Sequence, residues 1–540
     1  MKWERLKLVQ RLYLFFIFTL TIVIITGCGA ANDSQGMPTN SIIYGLTLEP
    51  SGIDPHIYQS TELGIITRQV YDTLVYRHPE TREIVAGLAV SWEISDDGLS
   101  YTFSLREGVQ FHDGTPFNAQ AVGINLDRIV NPDTASQKAR FMLGSYTGHE
   151  VIDEYTIRLD LSSPYTPLLD SLSQVYLAIA SPSALNEYSL NRYQFHQVGT
   201  GPFRFVEYVP NDRVVIERFA DYDWGPEFYN TPTENSLERI TFRFFSDEST
   251  RLIALESRDA HIMGEIPAVD ARALSGSNQI SLIPVSVPGQ PLQFMFNLNV
   301  FPTDNLIVRQ AIIHAINRSA IVDTIFQGFS PTGWGPISAE TQYYNTQVVG
   351  SYEFDTSLAR ELLEGQGYTD ADNDGFLELA GVAIELKIVV PPWGNVPEIS
   401  QLIQSQLRDV GIQVELQQVP NFNALREIVD SGDYNLVSFD TPGYDPAFLN
   451  DYFITDSVRN WMGYSNPELD SLLLEAVTTS DEARRRSLYA EVQRIVMNNA
   501  LILPIREYVN LNAATPNVEN LEFDVYGWFP ILNNVTLAEN

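Results

Sequence analysis

Residues 382–439 read VAIELKIVVPPWGNVPEISQLIQSQLRDVGIQVELQQVPNFNALREIVDSGDYNLVSF. The first nine, 382–390, are rich in β-branched residues and predict a strand. Over 398–408, Ile399, Leu402, Ile403 and Leu407 recur at the spacing of one helix face. Ile412, Val414 and Leu416 alternate with polar residues, which is the period of a half-buried strand. A strand–helix–strand unit of this kind is expected to be parallel and right-handed. Residues 422–429 and 434–439 then repeat a helix and a strand. The fold class is therefore α/β. Ligands of open α/β sheets gather beyond the carboxyl ends of strands. Two such ends are Pro391-Pro392-Trp393-Gly394 and residues 440–446.

Outside that stretch, 540 residues have room for two to four domain-sized units. Hydrophobic content of 44% and charged content of 19% are ordinary for a globular chain. The charge balance is not. Residues 1–27 hold four basic residues and one acid, so the rest carries 29 basic and 67 acidic residues, a formal charge of −38. Such a surface repels phosphate backbones, so no nucleic-acid partner is expected. The sequence has no G-x-x-x-x-G-K-[ST], no H-E-x-x-H and no G-x-S-x-G, and its seven histidines are scattered. Neighbouring acids such as Asp96-Asp97 and Asp221/Asp223 read as solvated surface. No catalytic residue is nominated and no cofactor is expected. One cysteine excludes disulfides within the chain and cysteine-based zinc sites.

That cysteine is Cys28. Lys2, Arg5, Lys7 and Arg11 form a basic head, and the 15 residues 12–26 carry no charge. Spanning a bilayer takes about 20 apolar residues, so the run has the length of a signal-peptide core. Ile25-Thr26-Gly27-Cys28 resembles a bacterial lipobox, whose cysteine is lipidated and becomes the new N-terminus. An uncleaved anchor and a reactive thiol are the alternatives. The expectation is a signal peptide at 1–27 and a lipidated Cys28 followed by a polar linker to residue 40.

Residues 91–117, SWEISDDGLSYTFSLREGVQFHDGTPF, are the most patterned piece of the remainder. Leu99, Tyr101, Phe103 and Leu105 alternate with polar residues and predict a half-buried strand, with turns at Asp96-Asp97-Gly98 and Glu107-Gly108 on either side, as in a meander. Trp92 falls inside the strand pattern and reads as core. His112-Asp113 in HDGTP reads as a turn rather than a metal pair. Asn118 is placed to cap the following helix, with Val122, Leu126, Ile129 and Val130 on one face. The 91–117 stretch resembles the signature of the family 5 extracellular solute-binding proteins, the peptide/nickel group of ABC-transporter receptors. Matching segments follow in the expected order. They are GTGPFRFVEYVPNDRVVIER (199–218), FNLN (296–299), DNLIVRQAIIHAINR (304–318), YEFDTSLARELLEGQGY (352–368), LIQSQLRDVGIQVEL (402–416) and residues 464–504.

The resemblance implies a two-lobed periplasmic-binding-protein-like fold of type II, with an extra subdomain inserted in lobe I. It places lobe I at 41–77, the insert at 78–198, the rest of lobe I at 199–288, lobe II at 289–503 and a return to lobe I at 504–540. It also implies a monomeric receptor outside the cytoplasmic membrane, in a periplasm or at a cell surface, held to the membrane by lipid alone. Its partners would be an ABC permease and ATPase subunits, and its ligand a di- or oligopeptide. An oligosaccharide or a nickel chelate is the alternative ligand. A tethered hydrolase and a peptide sensor or chaperone without a transport partner are the alternative classes.

In peptide-binding members of that family, a strand end carries an aromatic residue and then an aspartate that grips the ligand's α-ammonium. In FDTPGYDPAFL (439–449), Phe439 matches the aromatic, but the aspartate position falls on Pro442. Asp440 and Asp445 are the substitutes, since a desolvated ammonium needs a charged partner. Asp440 also reads as an Asx-turn residue ahead of Pro442-Gly443. Trp393, Trp334, Trp461 and Tyr444 sit in loop-like context as candidate stacking platforms for a ligand. Asp370, Asp372 and Asp374 form the first half of a calcium loop, but its twelfth position is Gly381 instead of a glutamate. A surface loop is the favoured reading there, with a weak calcium site as the alternative.

Overall fold

The structure is a computed structural model that describes residues 40–538. Cys28, the signal segment and all but the last residue of the linker lie outside the described residues. Strand β1 (Ser41–Leu46) buries Ile42, Tyr44 and Leu46. Helix α1 (Thr61–Val70) begins at Ser60, whose hydroxyl accepts from Leu63 N at 3.3 Å. Such a cap contributes about 1 kcal/mol.

The chain then makes β2 (Ala89–Ile94), β3 (Ser100–Leu105), α2 (Ala119–Val130), β4 (Tyr146–Asp153) and β5 (Thr156–Leu161). The four strands form an antiparallel sheet in the order β2–β3–β5–β4. Tyr101, Phe103 and Leu105 of β3 point into the core, as their alternation predicts. Asn118 caps α2 by accepting from Ala121 N at 3.0 Å, and Val122, Leu126 and Ile129 are buried. Trp92 is half-buried against the same core.

Strands β6 (Phe203–Val209), β7 (Arg213–Arg218), β8 (Arg239–Phe244), β9 (Ile262–Met263) and β10 (Ser281–Ser286) follow. Residues 287–291 cross to a second sheet. There lie β11 (Leu292–Phe296), β12 (Glu385–Val390), α3 (Val396–Arg408), β13 (Gln413–Gln418), α4 (Phe422–Ser431), β14 (Leu436–Ser438) and β15 (Ile502–Arg506). Residues 507–508 cross back to β16 (Val509–Ala514). The two crossing segments are joined by Val287 N donating to Tyr508 O at 2.9 Å.

Two lobes result. Lobe I holds a seven-stranded sheet ordered β10–β16–β9–β1–β8–β7–β6, with β1 parallel to both β8 and β9. Lobe II holds a five-stranded sheet ordered β13–β12–β14–β11–β15, with β12 parallel to β13 and β14. The parallel strand–helix–strand unit is β12–α3–β13, and Ile399, Ile403 and Leu407 of α3 are buried against it.

The inserted sheet and lobe I share one continuous apolar core, whereas lobe II is built on separate ones. Strand β15 runs to Arg506, three residues past the expected end of lobe II at 503, because Arg506 is still in register with Leu292 of β11. The strand read over 382–390 is also broken. Val382 and Ala383 turn at Gly381 to pair with Leu379 and Glu378, and only Glu385–Val390 enters the main sheet. The lobes also touch outside the crossing segments: Thr166 N donates to Val477 O at 2.9 Å, and Arg82 pairs with Glu340, which stands between two residues bonded to Gly289, Ser338 and Thr341. No helix among the described residues is long and apolar enough to cross a membrane.

Candidate functional site between the lobes

Strand β14 leads into residues 439–443, which lie against the crossing segment. Gln290 N donates to Thr441 O at 3.0 Å, Gly443 N donates to Pro288 O at 3.0 Å, and Thr441 N donates to Gln290 Oε1 at 3.1 Å. These bonds use the neighbours of Pro442, so its missing N–H leaves no gap. Gly289 makes the approach feasible: its φ is +133°, and a Cβ there would stand 2.5 Å from Pro442 Cα.

The pinned loop presents Asp440 to the hinge. Its Oδ1 accepts from Tyr508 Oη at 3.2 Å. No backbone N–H bonds its carboxylate, so the tyrosine takes the place of the expected Asx turn. Desolvation pushes the Asp440 carboxyl up to about 7, opposed by the Tyr508 bond and the Arg506 charge. Arg506 is buried between rings, 4.0 Å from the Phe326 centroid and 4.1 Å from that of Tyr508. Its Nη1 donates to Ser330 Oγ at 3.1 Å, while its Nε has no partner. Gln290 Nε2 and both side-chain polar atoms of Gln293 are also buried without partners. The wall thus combines one spare carboxylate with unsatisfied donors.

Trp393 borders this wall through its neighbour Gly394. It is half-buried on the lobe II core, and a Cβ on the next residue, Gly394, would come 3.5 Å from Tyr508 Oη. Phe439 turns away from the hinge into an aromatic group, its ring 5.3 Å from that of Trp461 and 5.5 Å from that of Phe422. Trp461 is buried and lines a groove on the outside of lobe II with Asn299 and Arg426. Trp334 packs under Arg318, whose guanidinium carbon lies 4.4 Å from its ring.

Tyr444 and Asp445 depart from their expected ligand role. Tyr444 is buried in the lobe I core, with Arg77 4.5 Å and Arg82 5.9 Å from its ring, and so fastens the lobes together. Both oxygens of Asp445 are taken by Arg485, at 2.9 and 3.1 Å, and Oδ1 also accepts from Ala447 N. A carboxylate so engaged is a structural ion pair.

The facing wall belongs to lobe I and was not anticipated from sequence. A cavity of about 70 Å³ opens at the carboxyl ends of β1 and β9 and the start of α1. Thr47, Glu62, Glu265, Asn510, Asn512 and Trp528 line it. Burial raises the Glu62 carboxyl above the usual range, and the neighbouring Glu265 charge adds to the rise. A readable signal did exist: Asn510 and Asn512 alternate within an otherwise apolar, buried strand. Asn510 is two residues beyond Tyr508, about 7 Å along a strand, so the two walls adjoin at the hinge.

A protein-family model for bacterial extracellular solute-binding proteins, family 5, matches residues 83–461. The chain belongs to this family. The glutathione-binding protein GsiB of Shigella dysenteriae is 30% identical over 84% of this chain and 86% of its own. That of Pectobacterium atrosepticum is 28% identical over 86% and 88%. Among solved structures, NikA of Brucella suis in complex with Fe(III)-EDTA superposes with a TM-score of 0.82 at 24% identity, over 92% of this chain and all of that one. DppA of Helicobacter pylori in complex with the peptide STSA gives 0.73 at 24% identity, over 92% and 98%. The two-lobed architecture is therefore the family's own, and this family 5 protein is a solute-binding protein, not an enzyme.

Two further sequence candidates lie away from the cleft. His112 Nε2 contacts Gly201 O at 2.8 Å, and burial pushes its imidazole down to about 4, while Asp113 accepts from Thr115 N and Ser181 Oγ. They form a turn. Asp370, Asp372 and Asp374 meet Glu378, with ligand atoms within 4.8 Å of one another. Glu378 thus takes the place that the calcium-loop pattern gave to position 381. The three aspartates are exposed, and hydrogen bonds within the loop account for its shape.

Proposed function

We propose that this protein captures a short peptide in the cleft and delivers it to an ABC permease driven by ATPase subunits. The observation that carries the reading is Asp440 on Tyr508 beside the unpartnered donors of Arg506, Gln290 and Gln293. A peptide presents an ammonium to the carboxylate and carbonyl or carboxylate oxygens to the donors. Trp393 supplies an apolar surface for a side chain, and hinge closure over 287–291 and 507–508 removes water from these bonds. Relatives at 28–30% identity are named for glutathione, itself a small peptide, which supports the peptide class over sugars and metal chelates. The receptor acts as a monomer, tethered through lipidated Cys28.

Native mass spectrometry against a di- and tripeptide library tests the ligand. Stoichiometric, unhydrolysed peptide is the expected result. Retention of an oligosaccharide or a metal chelate with indifference to peptides would overturn it. Cys28→Ser should abolish palmitate labelling in cells, and retained label would remove the tether.

A further inference from the structure

The lobe I cavity holds more acceptors than the chain satisfies. Thr47 Oγ1 donates to Glu265 Oε2 and stands 3.5 Å from Glu62 Oε1. A hydroxyl has one proton, so it serves one of the two carboxylates; Glu62 is held besides by its own main-chain N–H and the Ser60 hydroxyl, all of them neutral donors. Among the described residues neither glutamate forms an ion pair. Arg251 reaches Glu265 only at its main-chain oxygen, at 2.8 Å.

Two asparagines extend the deficit. Asn510 Nδ2 points to Gly527 O at 3.4 Å and Asn512 Nδ2 to Asn510 O at 3.3 Å. Carbonyl oxygens only accept, so both amides must turn their NH₂ groups that way. Their Oδ1 atoms are left buried without partners, on lining residues 5% and 0% exposed, and that of Asn512 stands 3.5 Å from where a Cβ on Gly264, also in the lining, would lie. Buried acceptors left empty cost about 1–3 kcal/mol each, and folded proteins keep few of them. Trp528 Nε1 is one unpartnered donor against these four acceptor groups.

Such a lining rejects an anion and underserves a sugar, whose hydroxyls need donors as well as acceptors. It matches a cation rich in N–H groups. We propose that this cavity binds the basic side chain of the captured peptide, a lysine ammonium or arginine guanidinium seated between Glu62 and Glu265 and completed by the oxygens of Asn510 and Asn512. This inference rests on the peptide reading and narrows it to peptides bearing a basic residue. Asp440 and the cavity then hold the two cations of one ligand, on opposite sides of Tyr508.

Isothermal titration with Arg-Ala, Ala-Arg and Ala-Arg-Ala, each against its citrulline counterpart, tests it. Citrulline keeps the shape of arginine without the charge. Wild-type protein should prefer at least one arginine peptide by about 10- to 100-fold, the range for bonds to a charged group. The Glu62→Gln/Glu265→Gln double variant should lose that preference, with arginine and citrulline peptides binding alike. Equal wild-type affinity for every arginine and citrulline pair would overturn the cation site and leave the peptide reading standing, whether or not the variant folds. A preference that survives intact in the folded double variant would also overturn it. If neither series binds wild-type protein, the peptide reading falls and takes this inference with it.

Discussion

On the lobe II wall, Asp440 is a single carboxylate held by a phenol, with a guanidinium near enough to offset part of its desolvation. On the lobe I wall, Glu62 and Glu265 meet neutral donors and, among the described residues, no cation. Five residues beyond Asp440, both oxygens of Asp445 accept from Nη2 of its own arginine, Arg485. The same side-chain chemistry is thus structural where the fold supplies its counter-charge and spare where it does not. In a protein this acidic, abundance of carboxylates says little; the missing partner is what marks a site.

The largest effect expected from that contrast is at Asp445. Replacing it with alanine strands a buried guanidinium, and unfolding in urea should show a loss of about 3–5 kcal/mol. A double-mutant cycle with Arg485→Met should recover much of it. A cycle with no coupling would mean that Asp445 is not the partner of Arg485.

Next comes ligand affinity as a function of pH. Asp440 holds its proton up to about 7, so an ammonium must displace it below that value. Binding of Ala-Arg-Ala should weaken up to about tenfold per unit as pH falls from 7 toward 5. Proton release should appear as a dependence of the binding heat on buffer ionisation, and the Asp440→Asn variant should lack it.

The same carboxyl affects stability with a definite sign. Its folded value lies above the ordinary 3.8, so the native state holds the proton more tightly. That contribution is full below about 4 and is lost as pH rises through about 7. The melting temperature of the ligand-free protein should therefore fall across that window. Asp440→Asn should flatten the slope, by an amount on the order of 2 kcal/mol. An unchanged slope would place the carboxyl in solvent.

The smallest effect belongs to the lobe-to-lobe contact of Arg82 with Glu340, which is half-exposed. Arg82→Ala should cost no more than about 1 kcal/mol. Unfolding in urea checks this, and a much larger loss would mean that water does not screen the pair.

Much of the fold was legible in local pattern. The alternation at Tyr101, Phe103 and Leu105, the cap at Asn118 and the spacing of Ile399, Ile403 and Leu407 each predict an element, since burial on one face is written at that element's own period. Membership in a solute-binding family was readable too, from motifs in order along the chain. Asp440 was singled out by position at a strand end.

Its partner, Tyr508, lies 68 residues away and carried no sign of the pairing. Tyr444 and Asp445 share the motif of Asp440, and only packing against Arg77 and Arg485 separates their role from its role. The lobe I cavity is assembled from four distant parts of the chain, at 47, 62, 265 and 510–528, so no local pattern contains it. Sequence determines which residues prefer a strand, a helix or an interior, because those preferences act over a few neighbours. Which acid is neutralised and which is left without a counter-charge depends on groups brought within a few ångströms by the tertiary structure. Asp440, Asp445, Glu62 and Glu265 are chemically alike until the fold chooses their neighbours.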